Sequence, residues 1–175
     1  MDLTQTIFEV IDMRSFSNLW FWIALAVVWS TASHWVLGVP WDMITRAKRK
    51  GGRFEEDVEL LVRIYVSRLL HVAKVSGLVM TVLICFLLTT LAVLGFGYGS
   101  QFAQALFLLG FPMTVVFLLS IRAARIIAAT DPHGQELYRR LHVHRISVQM
   151  IGMSSIFLTT MWGMFQNFSH GALGG

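Results

Sequence analysis

Apolar residues fall into four long runs that short polar segments separate. The runs cover residues 17–39, 75–96, 103–121 and 146–165. About 20 apolar residues in helical conformation cross the hydrocarbon core of a bilayer, so each run is long enough to form a span. The pattern predicts an all-α, integral membrane four-helix bundle that forms a single domain.

A helical pattern is also present in the polar segment that directly precedes the second span. In residues 55–74, charged positions such as Glu59 and Arg63 share one face, and apolar positions such as Val58 and Val62 share the opposite face. This segment is predicted to be an amphipathic helix, which either lies on the membrane surface or stands as a stalk under the second span. A second basic amphipathic piece precedes the fourth span, so the bundle is predicted to have amphipathic cytoplasmic helical extensions. Between the first span and residue 55, residues 46–53 are predicted to form a basic turn.

Small residues recur at helical spacing inside three of the predicted spans. Small faces let helices approach closely in lipid, where no hydrophobic driving force brings helices together. The predicted helix-packing residues are Ala26 and Ser30 in the first span, Gly77 and Thr81 in the second, and Gly152, Ser155, Thr159 and Gly163 in the fourth.

The distribution of charge predicts the orientation of the spans. Only 14% of the residues are charged, whereas soluble domains contain about 25%. Thirteen of the 14 Lys and Arg lie between Gly38 and Ser147, and only Arg14 lies outside. The positive-inside rule then predicts a bacterial inner-membrane protein with both termini in the periplasm. The alternative is three spans after a cleaved signal, but the mildly acidic start lacks the basic region of a signal peptide.

Two junctions between polar and apolar sequence resemble each other. Residues 68–76 read RLLHVAKVS, and residues 139–147 read RRLHVHRIS. Duplication and convergence of two basic helix-to-membrane junctions both explain this match. Long basic side chains reach headgroups and aromatic belts mark interfaces, so a lipid contact is predicted for Arg68, Lys74, Arg139, Arg140, Arg145, Trp20, Trp22 and Trp41. The position of the basic residues beside the spans argues against nucleic acid as a partner.

Histidines are the candidate cofactor ligands. A b-type haem between spans needs two facing histidines, and His34, His71 and His142 are the candidates. Two of these lie beside Arg or Lys, and nearby cations disfavour a further cation. A metal site needs three or four converging ligands, which the spacing does not indicate. We therefore expect no metal and no bound cofactor, with interfacial packing as the main role of these histidines.

Catalytic motifs are not evident in this sequence. The predicted spans contain no acidic residue for a proton relay, and no phosphate loop, metalloprotease motif or nucleophile elbow occurs. The chain is therefore expected not to be an enzyme.

The chain resembles small inner-membrane proteins of photosynthetic and related alphaproteobacteria. The resemblance covers most of the chain and includes residues 15–52, SFSNLWFWIALAVVWSTASHWVLGVPWDMITRAKRKGG. Those proteins often carry the label "component of SulP family transporter". True SulP carriers are much longer and have many more spans, so the resemblance implies a membrane location and identifies no site residues. The expected function is a non-enzymatic accessory or scaffold subunit. It would contact membrane lipids and pack against other integral membrane subunits of a respiratory or photosynthetic complex. A component of a SulP-like anion transport system and a b-type haem or quinone-binding protein are the alternatives.

Overall fold

The structure, a computed structural model, describes residues 19–172, except for the side chains of residues 167 and 169–172. The described part is almost entirely helical, which confirms the all-α class. The five α-helices in it are α1 (Leu19–His34), α2 (Trp41–Lys50), α3 (Arg53–Ala92), α4 (Gln101–Thr130) and α5 (Gly134–Ala172). The predicted periplasmic N-terminal tail, the first two residues of the first span and the last three residues of the chain lie outside the described residues.

Three of these helices are long and apolar enough to cross a membrane: α3, α4 and α5. Helix α3 has 40 residues and a length of about 60 Å, twice the thickness of a bilayer core. It contains the amphipathic segment 55–74 and most of the second predicted span in one continuous helix. Helix α1 is apolar but has only 16 described residues, about 24 Å.

The first predicted span continues past the end of the helix that it contains. Helix α1 ends at His34, and the next six residues form a hairpin of β1 (Trp35–Val36) and β2 (Val39–Pro40). Leu37 and Gly38 have positive φ, 49° and 80°, and form the turn between β1 and β2. A Cβ on Gly38 would lie 2.5 Å from Cδ1 of Tyr65, so the turn also presses against α3.

The basic segment after the hairpin is a helix where a turn was predicted. Helix α2 starts after Pro40, which has no N–H to donate and therefore fits a helix start. Its first turn contains Asp42, and its last turn contains Lys48, Arg49 and Lys50. Both groups of charges are favourable for the helix dipole. Gly51 and Gly52, with φ of 61° and 57°, separate α2 from α3.

At one end of the molecule, which we call the far end, a short turn joins α3 to α4. The last turn of α3 widens into a π-helix at Val93–Gly97, and Ser100 Oγ accepts a hydrogen bond from the N–H of Ala103 at 3.4 Å. The carbonyl of Gly95 accepts from Nε2 of Gln104 at 2.8 Å. Oε1 of the same Gln104 accepts from Trp162 Nε1 at 3.0 Å and from Gln166 Nε2 at 2.9 Å. One buried amide therefore connects α3, α4 and α5.

The largest hydrophobic cluster lies at the opposite end, which we call the basic end because the Lys and Arg residues gather there. The hairpin, α2, the first half of α3, the end of α4 and the start of α5 contribute to it. Smaller clusters hold α1 against α4 and α5: Leu25, Trp29, Val116 and Val148 form one, and Phe21 and Ala105 form the other. The largest part of the buried core therefore lies at the basic end, and smaller contacts hold the helices together further along.

Candidate functional site in two grooves beside helix α4

Helix α4 packs between α3 and α5 and leaves an open groove on each side near the basic end. Both grooves lie where the long helices leave the basic core. The α3/α4 groove has a volume of about 470 Å³ and the α4/α5 groove one of about 380 Å³. Volumes of this order are typical of small-molecule sites.

The α3/α4 groove is mostly apolar. Gly77 and Thr81 line it from α3, together with Leu78, Phe117, Leu118 and Ile121, and Arg122 and Arg125 lie at its basic end. No described atom lies within 4 Å of a Cβ built on Gly77, and Thr81 is exposed. In the most apolar 18 residues of α3, none is buried by the rest of the chain. The predicted small-residue face of the second span therefore lines a groove that is open to the surroundings of the protein.

The α4/α5 groove combines an apolar lining with three arginines. Arg122 comes from α4, and Arg139 and Arg140 come from α5. Arg140 donates to Oε1 of Glu136 at 3.0 Å. Among the described residues, Arg122 and Arg139 form no ion pair, and both are exposed. The groove is therefore positively charged, and Arg122 was not among the predicted site residues because it lies 17 positions away from Arg139.

His144 lies at the buried side of this groove, with 6% of its surface exposed. The Ser120 hydroxyl donates to the carbonyl of Val116, so its oxygen is free to accept from His144 Nε2 at 3.4 Å. Nδ1 of His144 has no hydrogen-bond partner among the described residues. The ring lies two residues before the predicted fourth span, and burial lowers its pKa, which favours the neutral imidazole. The contact with Ser120 spans 24 positions, and the sequence contains no signal for it.

The predicted headgroup residues Arg145 and Trp41 contact each other. The Arg145 guanidinium lies 4.2 Å from the ring centroid of Trp41, and its Nε donates to the carbonyl of Ser33 at 3.3 Å. The ring of His142 lies 5.7 Å from that of Trp41. These contacts hold the end of α1 and the start of α2 against α5. Arg145 therefore has a structural role in addition to its predicted headgroup contact.

The three candidate haem ligands lie in different surroundings. His34 Nε2 lies 3.8 Å from Oδ1 of Asp42, His142 packs on Trp41, and His71 is exposed on α3. Within the described part of the chain, no group of three His, Cys, Asp or Glu side chains could hold a metal ion. Haem ligation by these histidines stays an alternative hypothesis.

The start of α5 is held by an acidic residue of α3. The N–H of Gly134 donates to Oε1 of Glu59 at 2.8 Å, and Arg63 of the next turn lies 3.6 Å from Asp131. Tyr138 is buried nearby, and burial, followed by the charges of Glu55 and Glu59, raises the pKa of its hydroxyl. Glu59, which lies on the predicted charged face of residues 55–74, thus caps the start of α5.

The remaining predicted residues divide between buried and exposed positions. Gly152, Ser155, Thr159 and Gly163 are buried along α5, and a Cβ on Gly152 would lie 2.7 Å from Cε3 of Trp29. Ala26 and Ser30 are exposed on α1, and Arg68 and Lys74 are exposed on α3. At the far end, the ring of Trp20 lies 6.2 Å from Phe102, and Trp22 packs in the α1 clusters. The small face of α5 packs inside the chain, whereas those of α1 and α3 face outward.

Comparisons of the chain with models of protein families, with curated proteins and with solved structures gave no match.

Proposed function

We propose that the chain is a non-enzymatic accessory or scaffold subunit of the bacterial inner membrane. Helices α3, α4 and α5 cross the bilayer, α1 completes a four-span bundle, and the basic end faces the cytoplasm. A helix of another integral membrane subunit, in a respiratory or photosynthetic complex, packs into the α3/α4 groove.

The open α3/α4 groove is the observation that supports this proposal. Gly77 and Thr81 present little side-chain volume at its lining, so a partner backbone can approach α3 closely there. Within the described chain nothing occupies the space above Gly77. A groove lined by small residues is the geometry at which a second helix backbone can approach closely.

The test places a photo-cross-linking amino acid at one of two positions in the full chain, expressed in its native membrane. Thr81 lines the groove, and Val79 is exposed about 200° around the same helix. We expect one adduct with an integral membrane protein from position 81 and none from position 79. Introducing Gly77→Leu, which fills the groove, should abolish that adduct and release the chain from the complex in mild detergent.

Two results would contradict the accessory role. One is an adduct only with lipid or with a second copy of this chain. The other is an adduct that persists in the Gly77→Leu variant at its original yield. An absorption spectrum of the purified protein checks the haem alternative independently, since a Soret band would assign the histidines to a cofactor.

A further inference from the structure

We propose that the α4/α5 groove binds one anionic glycerophospholipid, with its phosphate between Arg122 and Arg139 and an acyl chain along the apolar lining. This inference shares with the proposed function only the premise that the long helices are embedded in a bilayer. It needs no partner subunit, and it concerns the α4/α5 groove, which shares only Arg122 with the α3/α4 groove of the proposed helix contact.

The charge of the groove selects an anion. Three arginines and one glutamate line it, and the pair of Arg140 with Glu136 leaves Arg122 and Arg139 without an acidic partner among the described residues. The guanidinium groups come from two helices, so one phosphodiester can bridge α4 and α5. Guanidinium forks match phosphate oxygens in geometry, and each can donate two parallel hydrogen bonds.

The lining of the groove selects a lipid rather than a free phosphate ion. Leu119, Ala123, Ile126 and Val143 line the same groove as the arginines, and Ile126 and Val143 are exposed. An inorganic anion would leave these side chains uncovered, whereas an acyl chain covers them. Basic pockets between membrane helices near the interface are places where anionic headgroups bind.

A buried polar group lines the groove as well. His144 is more than nine-tenths buried, and its Nδ1 has no hydrogen-bond partner in the described part of the chain. Buried polar atoms in folded proteins normally find a partner. The unpaired nitrogen is an acceptor beside the groove, and the glycerol hydroxyl groups of a phosphatidylglycerol headgroup are donors of the matching kind.

The test is native mass spectrometry of the full-length protein, delipidated in detergent and titrated with dioleoyl phosphatidylglycerol or dioleoyl phosphatidylcholine. We expect one phosphatidylglycerol per chain, with an affinity at least about tenfold above that for phosphatidylcholine, which is about 1.4 kcal/mol. The double variant R122Q/R139Q should lose this preference. R46Q/R53Q removes the same charge from exposed positions outside the groove and should keep it.

Further arms separate lipid from free anion and from a folding defect. Glycerophosphoglycerol, the headgroup without chains, and inorganic phosphate should not displace the bound lipid at equal concentration. R122K/R139K retains charge but not the planar fork, and an intermediate affinity is expected for it. The proposal is overturned if inorganic phosphate competes as well as the lipid, if R46Q/R53Q loses as much affinity as R122Q/R139Q, or if R122Q/R139Q binds both lipids unchanged.

Discussion

At the scale of single residues, two glycines in predicted spans have opposite surroundings. A Cβ on Gly152 would lie 2.7 Å from Trp29, whereas a Cβ on Gly77 meets no described atom within 4 Å. Overpacking of a close contact costs about 1–3 kcal/mol, while alanine is favoured over glycine in an open helix position by about 1 kcal/mol. We expect Gly152→Ala to lower the free energy of unfolding by about 1–3 kcal/mol and Gly77→Ala to leave it equal or higher. Thermal unfolding in one detergent, followed by circular dichroism, compares the pair, and equal melting temperatures would contradict the packing of α1 on α5.

A buried glutamine gives a second prediction at this scale. Gln104 makes three hydrogen bonds, to Gly95, Trp162 and Gln166, while Oε1 of Gln101 one turn earlier has no partner among the described residues. Removing one partner leaves the others unpaired in a buried place, at a cost of about 1–3 kcal/mol. We expect Gln104→Leu to lower stability by that amount and Gln101→Leu to have little effect. Denaturant titrations of both variants measure this difference, and a Gln104→Leu variant as stable as the unmodified chain would exclude the network as a stabilising element.

At the scale of helices, α5 depends on α3 for its first turn. The Glu59 carboxylate accepts from the N–H of Gly134, and a negative group at a helix start is favourable for both the free N–H and the helix dipole. We expect Glu59→Ala to cost about 1 kcal/mol of stability. Glu56, three positions earlier and exposed, provides the matched control, and Glu56→Ala should change stability little. Hydrogen exchange at the first turn of α5 should rise in Glu59→Ala only, and the same rise in Glu56→Ala would show that general charge, not the cap, is responsible.

The helices themselves could be predicted from the sequence more completely than their connections. Apolar runs and the amphipathic pattern of residues 55–74 determine α3, α4 and α5, because hydrophobic periodicity is a local property. The hairpin after His34 was missed because Trp35, Val36 and Val39 are as apolar as the span before them. Helix α2 was missed too, although Asp42 at its start and Lys48–Lys50 at its end are local signals that favour a helix.

The same limit applies to the candidate sites. Arg139 and Arg140 are predicted lipid contacts because they stand beside an apolar run, and the structure places both in the α4/α5 groove. Their neighbour Arg122 and the buried His144 depend on how α4 packs against α5, and this contact joins residues far apart in the sequence. Likewise, the small residues of α3 can be recognised in the sequence. That they face away from the rest of the chain follows only from the packing of the helices.

At the scale of the whole molecule, the largest hydrophobic core and the most apolar stretch of helix α3 lie in different places. The largest core, which includes Val39, Ile44, Val58 and Leu141, lies at the basic end and outside the four predicted apolar runs apart from the hairpin residues. The apolar part of α3 has no buried residue in its most hydrophobic window. The largest core therefore lies at the basic end, whereas the apolar surface of α3 is uncovered, as the proposed contact with another subunit requires.

The orientation of the molecule gives the last prediction. Trp20 of α1 lies 6.2 Å from Phe102 of α4, so the start of α1 lies at the same end as the turn that contains Tyr98. If α4 crosses the membrane, α1 must begin on the side of Tyr98, and the Lys and Arg residues of the basic end lie on the other. We expect single cysteines at Leu19 and Tyr98, in a Cys85→Ser background, to react with a membrane-impermeant maleimide added outside intact cells. Cysteines at Lys50 and His133 should react only after the membrane is opened. If the cysteines at Lys50 and His133 react from opposite sides of the membrane, the single basic face is contradicted. If the cysteine at Leu19 is protected while that at Tyr98 reacts, only the membrane-spanning role of α1 is contradicted.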